Sequence, residues 1–94
     1  MKVTIDGKRY DTNKCEILGS YSHYSHSGNV SGKTHLLRAS NGVLLVYTDS
    51  NGQDMYLRDR ITKYEESEVS VDKFNYSDEQ EKRMVDLALI EIIG

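Results

Sequence analysis

Tryptophan and proline are absent from this 94-residue chain, and cysteine and phenylalanine occur once each. The lone Cys15 excludes an internal disulfide, and the opening residues lack the basic-then-apolar form of a secretory signal, so a cytoplasmic protein is expected. No apolar run approaches the roughly 20 residues that a helix needs to cross a bilayer, so no membrane partner is expected. Nor is there a positive excess. A formal charge of −3 argues against a nucleic-acid backbone as the main partner, because that affinity grows with Lys and Arg set against phosphates. Only 37% of residues are hydrophobic, yet Val, Ile, Leu and Tyr cluster into patterned runs, which excludes a disordered chain. The length suits a single domain over residues 1–94, burying roughly 60 to 65% of the surface its unfolded form exposes, and excludes two catalytic lobes.

What is present is hairpin grammar. Ser40-Asn41-Gly42 and Ser50-Asn51-Gly52 each separate apolar runs, so residues 34–58 read as three antiparallel strands joined by two-residue type I′ turns, where Asn and Gly tolerate positive φ. Asp6-Gly7 supplies a third turn, and the flanking Val3, Ile5 and Tyr10 can share one face. Cys15, Ile17 and Tyr21 alternate with polar residues as a strand does, although a short helix from Thr12 to Leu18 competes. Residues 25–32 turn to Ser, Gly and Asn and read as a long mobile loop. The run Val43-Leu44-Leu45-Val46-Tyr47 is apolar on both faces, which places it mid-sheet with both faces covered. Residues 59–67 read as a polar stretch, and Val69, Val71 and Phe74 as a short edge strand.

One helix stands out. Ser77 and Gln80 form a capping box, acidic residues fill the first turn, and the helical pattern runs from Asp78 to Ile92. Met84, Val85, Ala88, Leu89 and Ile92 make its core stripe. Leu87 and Ile90 fall outside that stripe, so either the N-terminal hairpin covers them or they form a homodimer or partner surface. The expected fold is α+β: a mainly antiparallel hairpin meander of five to six strands with one C-terminal helix packed on one face.

Chemistry is sparsely marked. Tyr21-Ser22-His23-Tyr24-Ser25-His26 writes one triplet twice, and such residues bind metals, shuttle protons or stack on bases. Zinc needs about three or four ligands, so His35 or Cys15 would have to converge on the segment; otherwise the rings simply pack on the sheet. No carboxylate or nucleophile falls in a recognisable motif, so no enzyme, metal or cofactor is expected. The Gly28 to Thr34 stretch ends in Gly-Lys-Thr like a phosphate loop, but its glycine spacing is short and no helix follows. The run Glu65-Glu66-Ser67-Glu68 is a solvated face or a contact that imitates phosphates.

Gly7-Lys8-Arg9-Tyr10-Asp11-Thr12, with Thr34-His35-Leu36-Leu37-Arg38-Ala39-Ser40-Asn41-Gly42 and the apolar strand beyond it, resembles a family of small proteins. These occur in phages, prophages and conjugative elements of Gram-positive bacteria. The likeness covers about the first half. The family's glycine-rich second turn is replaced here by Thr48 to Gly52, and its Trp-containing acidic helix by a Leu/Ile-rich one. Some members are associated with anti-CRISPR activity. The resemblance therefore implies an inhibitor that occludes a host defence protein inside the host cell, with Tyr21, His23, Tyr24, His26, Glu65, Glu66 and Glu68 as contact candidates. The alternative is a nucleic-acid or small-ligand module using the Tyr/His segment.

Overall fold

A computed structural model of the chain describes residues 1–50 and 59–93. It is α+β. Strands β1 (Lys2–Ile5) and β2 (Lys8–Asp11) form a two-stranded ribbon, and β3 (Glu16–Tyr24), β4 (Val30–Arg38), β5 (Leu44–Ser50) and β6 (Arg60–Lys63) form an antiparallel sheet in that order. One helix, α1 (Asp78–Asp86), packs on β3. The expected meander thus divides into two sheets, because the first hairpin lies over the four-stranded sheet instead of extending its edge.

Asp6 and Gly7 both hold positive φ, 52° and 77°, as a type I′ turn requires. The turn before β5 differs from expectation. Only Gly42 is left-handed there; Gly42 N donates to Ala39 O, Ala39 N donates to Val43 O, and Asn41 Oδ1 accepts from Val43 N. That is a three-residue loop with glycine at its end, not a two-residue type I′ turn. The second Ser-Asn-Gly turn and the strand expected over residues 53–58 lie outside the described residues.

Register explains the layers. Ser20, His35, Tyr47 and Ile61 stand in one cross-strand row, and Tyr21, Thr34, Thr48 and Arg60 in the next, facing the other way. On one face Leu37, Ala39 and Leu45 are buried with Tyr10, beneath Val3 and Ile5 of the ribbon. On the other, Leu18 and Leu36 are buried with Phe74 and Met84 from the C-terminal segment. Strand β5 is therefore covered on both sides, Leu45 facing the ribbon and Leu44 the helix layer.

Several local expectations change. Thr12–Lys14 is a 3₁₀ turn, so the strand reading holds from Glu16 onward, with an extra residue between Ile17 and Gly19. That bulge turns Leu18 into the core and leaves Ile17 exposed. The long loop shrinks to residues 25–29, closed by Ser25 N donating to Asn29 O at 2.8 Å, because Val30 to Lys33 pair with β3. Residues 60–63, read as polar, are β6; Ile61 alone anchors them to the ribbon-side core. The edge strand expected at Val69 to Phe74 is a 3₁₀ turn, Val71–Lys73, because Ser70 Oγ accepts from Asp72 N and redirects the backbone. Beyond it, Asn75 and Ser20 exchange two backbone hydrogen bonds of 2.8 and 3.1 Å, which occupies part of the β3 edge.

The capping box of Ser77 and Gln80 is present, but the helix stops six residues short of Ile92. Ala88 adopts φ 58°, Ala88 N donates to Val85 O, and Leu89 N donates to Met84 O. This is the double hydrogen bond of a Schellman ending, with alanine where glycine is usual. Reversing the chain there brings Leu87, Leu89 and Ile90 against the Leu18–Leu36–Phe74–Met84 core. The expected stripe is exchanged accordingly: Met84 is buried, whereas Val85, Ala88 and Ile92 are exposed.

Candidate functional site

The Tyr21–His26 segment is split by the fold. Tyr21 is half-buried, edge-on to Phe74 with ring centroids 5.2 Å apart, 5.1 Å from the His23 ring, and beneath the Lys73 ammonium at 4.8 Å. A cation over an aromatic face is held by the ring quadrupole, so Lys73 fixes the ring from the open side. His23 Nε2 lies 2.6 Å from Thr34 Oγ1, which lies 3.0 Å from Thr48 Oγ1. Tyr24, at the strand end, is 66% exposed, and His26 is exposed in the turn that follows. The repeated triplet therefore makes one packed pair and two solvent-facing rings.

His35 does not join them. It belongs to the row on the opposite face, with Nδ1 2.6 Å from Ser20 Oγ, and burial lowers its pKa against the upward pull of Asp49. Cys15 packs against the ribbon-side core. Among the described residues no three His, Cys, Asp or Glu side chains gather as metal ligands.

The fold does bring Tyr21 together with Glu68. Both line a groove of about 170 Å³ on the helix-layer face, floored by Thr34, Thr48 and Thr62 and flanked by Arg60. The floor follows from register, since Thr34 opposes Thr48, and Thr48 opposes Arg60. Glu65 and Glu66 are exposed in the adjoining turn, where Glu68 N and Val69 N donate to Glu65 O. Arg60 and the three threonines were missed in sequence reasoning. Thr34, Thr48 and Thr62 recur every fourteen residues, which is the one signal that pointed to them.

Leu87 and Ile90, offered above as an outer surface, are half-buried on their own core. The large exposed apolar residues described at this end are Val85, Ile92 and Ile93. No described helix is long and apolar enough to cross a membrane. Comparison with protein-family models, with curated proteins and with solved structures found no match to the chain.

Proposed function

We propose that this chain is a non-enzymatic binding protein of a phage or mobile element, which occludes a host defence protein in the host cytoplasm. The observation that carries the contact surface is the size and lining of the Tyr21–Glu68 groove. At about 170 Å³ it falls below the roughly 300–1,000 Å³ of small-molecule pockets, and it suits one inserted side chain of a partner protein. Arg60 and Glu68 offer both signs of charge at its border, and the exposed Tyr24 supplies the aromatic area that interfaces favour. The resemblance in Gly7–Thr12 and Thr34–Gly42 supports the mobile-element setting. Those two segments meet in space, with Asn41 Nδ2 donating to Tyr10 Oη at 3.2 Å.

The test is affinity capture from a host lysate with the wild type and three variants. Wild type retains one stoichiometric host protein; Tyr24→Ala and Glu68→Lys each lose it by tenfold or more, on the order of a strong contact. Lys82→Ala, exposed on α1, keeps it. Capture indifferent to both Tyr24→Ala and Glu68→Lys, or a co-purifying nucleotide absorbing at 260 nm in place of a protein, overturns the reading.

A further inference from the structure

A local departure from the acidic balance of the chain lies on the ribbon side. A cleft of about 380 Å³ opens between the ribbon and the β4–β5 turn, and Lys2, Arg9 and Lys14 all line it. The sequence carries 15 acidic to 12 basic residues, so three cations around one cleft run against the average. Asp11 is the single carboxylate in the lining, and its Oδ1 already accepts from Asn13 N at 3.0 Å. The two ion pairs of the described residues lie elsewhere, at Lys63–Asp6 and Arg83–Glu16. Arg9 donates to Thr4 Oγ1 from Nη1, leaving other guanidinium donors for a ligand.

The neutral groups of the lining are arranged for an acceptor. Asn41 Nδ2 donates to Tyr10 Oη, which leaves the phenol hydrogen free to donate in turn. The Cys15 thiol donates to Asp11 O, and burial, with Asp11, raises its pKa, so the sulfur stays uncharged at neutral pH and does not oppose an anion. Ala39 and the Tyr10 ring, both buried, give the floor an apolar part. The volume matches the lower range of small-ligand pockets, unlike the groove on the other face.

We propose that this cleft binds a phosphate dianion carried as a monoester on a small organic group, of mononucleotide size or below. A phosphomonoester carries about −1.5 to −2 charges at pH 7, with three acceptor oxygens. Two lysines and a forked guanidinium answer that charge, and the Arg fork matches phosphate geometry. The apolar floor accommodates the organic group. This site is independent of the groove on the opposite face, so either proposal can fail without the other.

The experiment is an amide-resolved NMR titration of the intact protein at about 20 mM salt, where surface charges are weakly screened. The probes are AMP, ribose 5-phosphate, inorganic phosphate and adenosine. AMP and ribose 5-phosphate should give saturable shifts at Arg9, Lys14, Cys15 and Asn41, with none at Tyr21 or His23, and adenosine should give none. AMP binding tighter than ribose 5-phosphate places the base in the cleft; equal affinity confines recognition to the phosphate and sugar. Lys14→Gln and Arg9→Gln should each weaken AMP by roughly tenfold, as loss of a charge-assisted contact does, while Lys82→Gln changes it less than twofold. Both altered side chains are exposed, and a dispersed spectrum confirms folding. The proposal is overturned by the absence of saturable shifts to about 10 mM AMP, where even millimolar affinity would be visible. It also fails if adenosine matches AMP, if both variants bind like wild type, or if a short DNA duplex outcompetes AMP for the same residues.

Discussion

Gly19→Ala tests whether the C-terminal segment sits on the sheet as described. Gly19 does not hold positive φ, so its role is space. A Cβ built there lies 2.5 Å from Tyr76 Cε1, 2.8 Å from Cδ1 and 3.2 Å from Phe74 Cβ, against roughly 3.5–4.0 Å for a comfortable carbon contact. The tyrosine ring must retreat by about 1 Å, and two features resist that. Tyr76 Oη donates to Val71 O at 2.6 Å, and the neighbouring Asn75 is tied to Ser20 by a pair of backbone hydrogen bonds. Overpacking costs about 1–3 kcal/mol and a lost hydrogen bond about 1 kcal/mol, while the stiffer unfolded chain of alanine returns about 0.4–1 kcal/mol. The net is a loss of about 1.5–3 kcal/mol from a domain of this size whose whole stability is about 5–14 kcal/mol. Thermal unfolding followed by circular dichroism should show Tm lower by roughly 8–15 °C. In a Tyr76→Leu background, where the ring edge is gone, the same substitution should cost at least about 1 kcal/mol less. A Gly19→Ala protein within about 0.5 kcal/mol of wild type, or an equal cost in both backgrounds, refutes the packing argument.

Two other substitutions probe the helix end and the protonation of the sheet. Ala88→Gly should stabilise by about 0.5–1 kcal/mol, because alanine pays roughly 1–2 kcal/mol in the left-handed region and glycine does not; a lowered urea midpoint would contradict the Schellman ending. His35 has its pKa lowered in the fold below the ordinary 6.5, chiefly by burial, so its contribution is fully present above about pH 6.5 and is lost as pH falls through the folded value. The urea midpoint of wild type should therefore fall between about pH 7.5 and 5 more steeply than that of His35→Gln, and parallel profiles would remove His35 as the source.

Legibility followed locality. The Asp6-Gly7 turn and the Ser77/Gln80 cap are settled within four residues, and both appear as the pattern required. The double-sided burial of β5 was legible for a related reason: five consecutive apolar residues have no polar face to show water. The helix end was hidden because it is settled by contacts distant in sequence. Nothing in Leu87-Ala88-Leu89-Ile90 signals a stop, yet continuing the helix would leave Leu89 and Ile90 off the core formed by Leu18, Leu36 and Phe74. Burial of those chains outweighs the cost of a left-handed alanine, since one fully buried Leu or Ile contributes about 1.5–3 kcal/mol. Strand β6 was hidden by composition, because Arg60, Thr62 and Lys63 resemble loop residues until pairing with β5 is known.

The candidate sites depend on register even more strongly, and this separates the two halves of the chain. The segments Gly7–Thr12 and Thr34–Gly42 meet at the Tyr10–Asn41 hydrogen bond beside the cationic cleft. The C-terminal part of the chain builds the opposite layer, with Glu68 and Val69 closing the groove and Phe74 and Met84 filling the core beneath the helix. A four-stranded sheet keeps these surfaces apart, because Thr34 and Leu37 project to opposite faces of one strand. Charge reversal at Lys14 and at Glu68 should accordingly act on different ligands and combine additively in the double variant, as distant sites without a shared partner do.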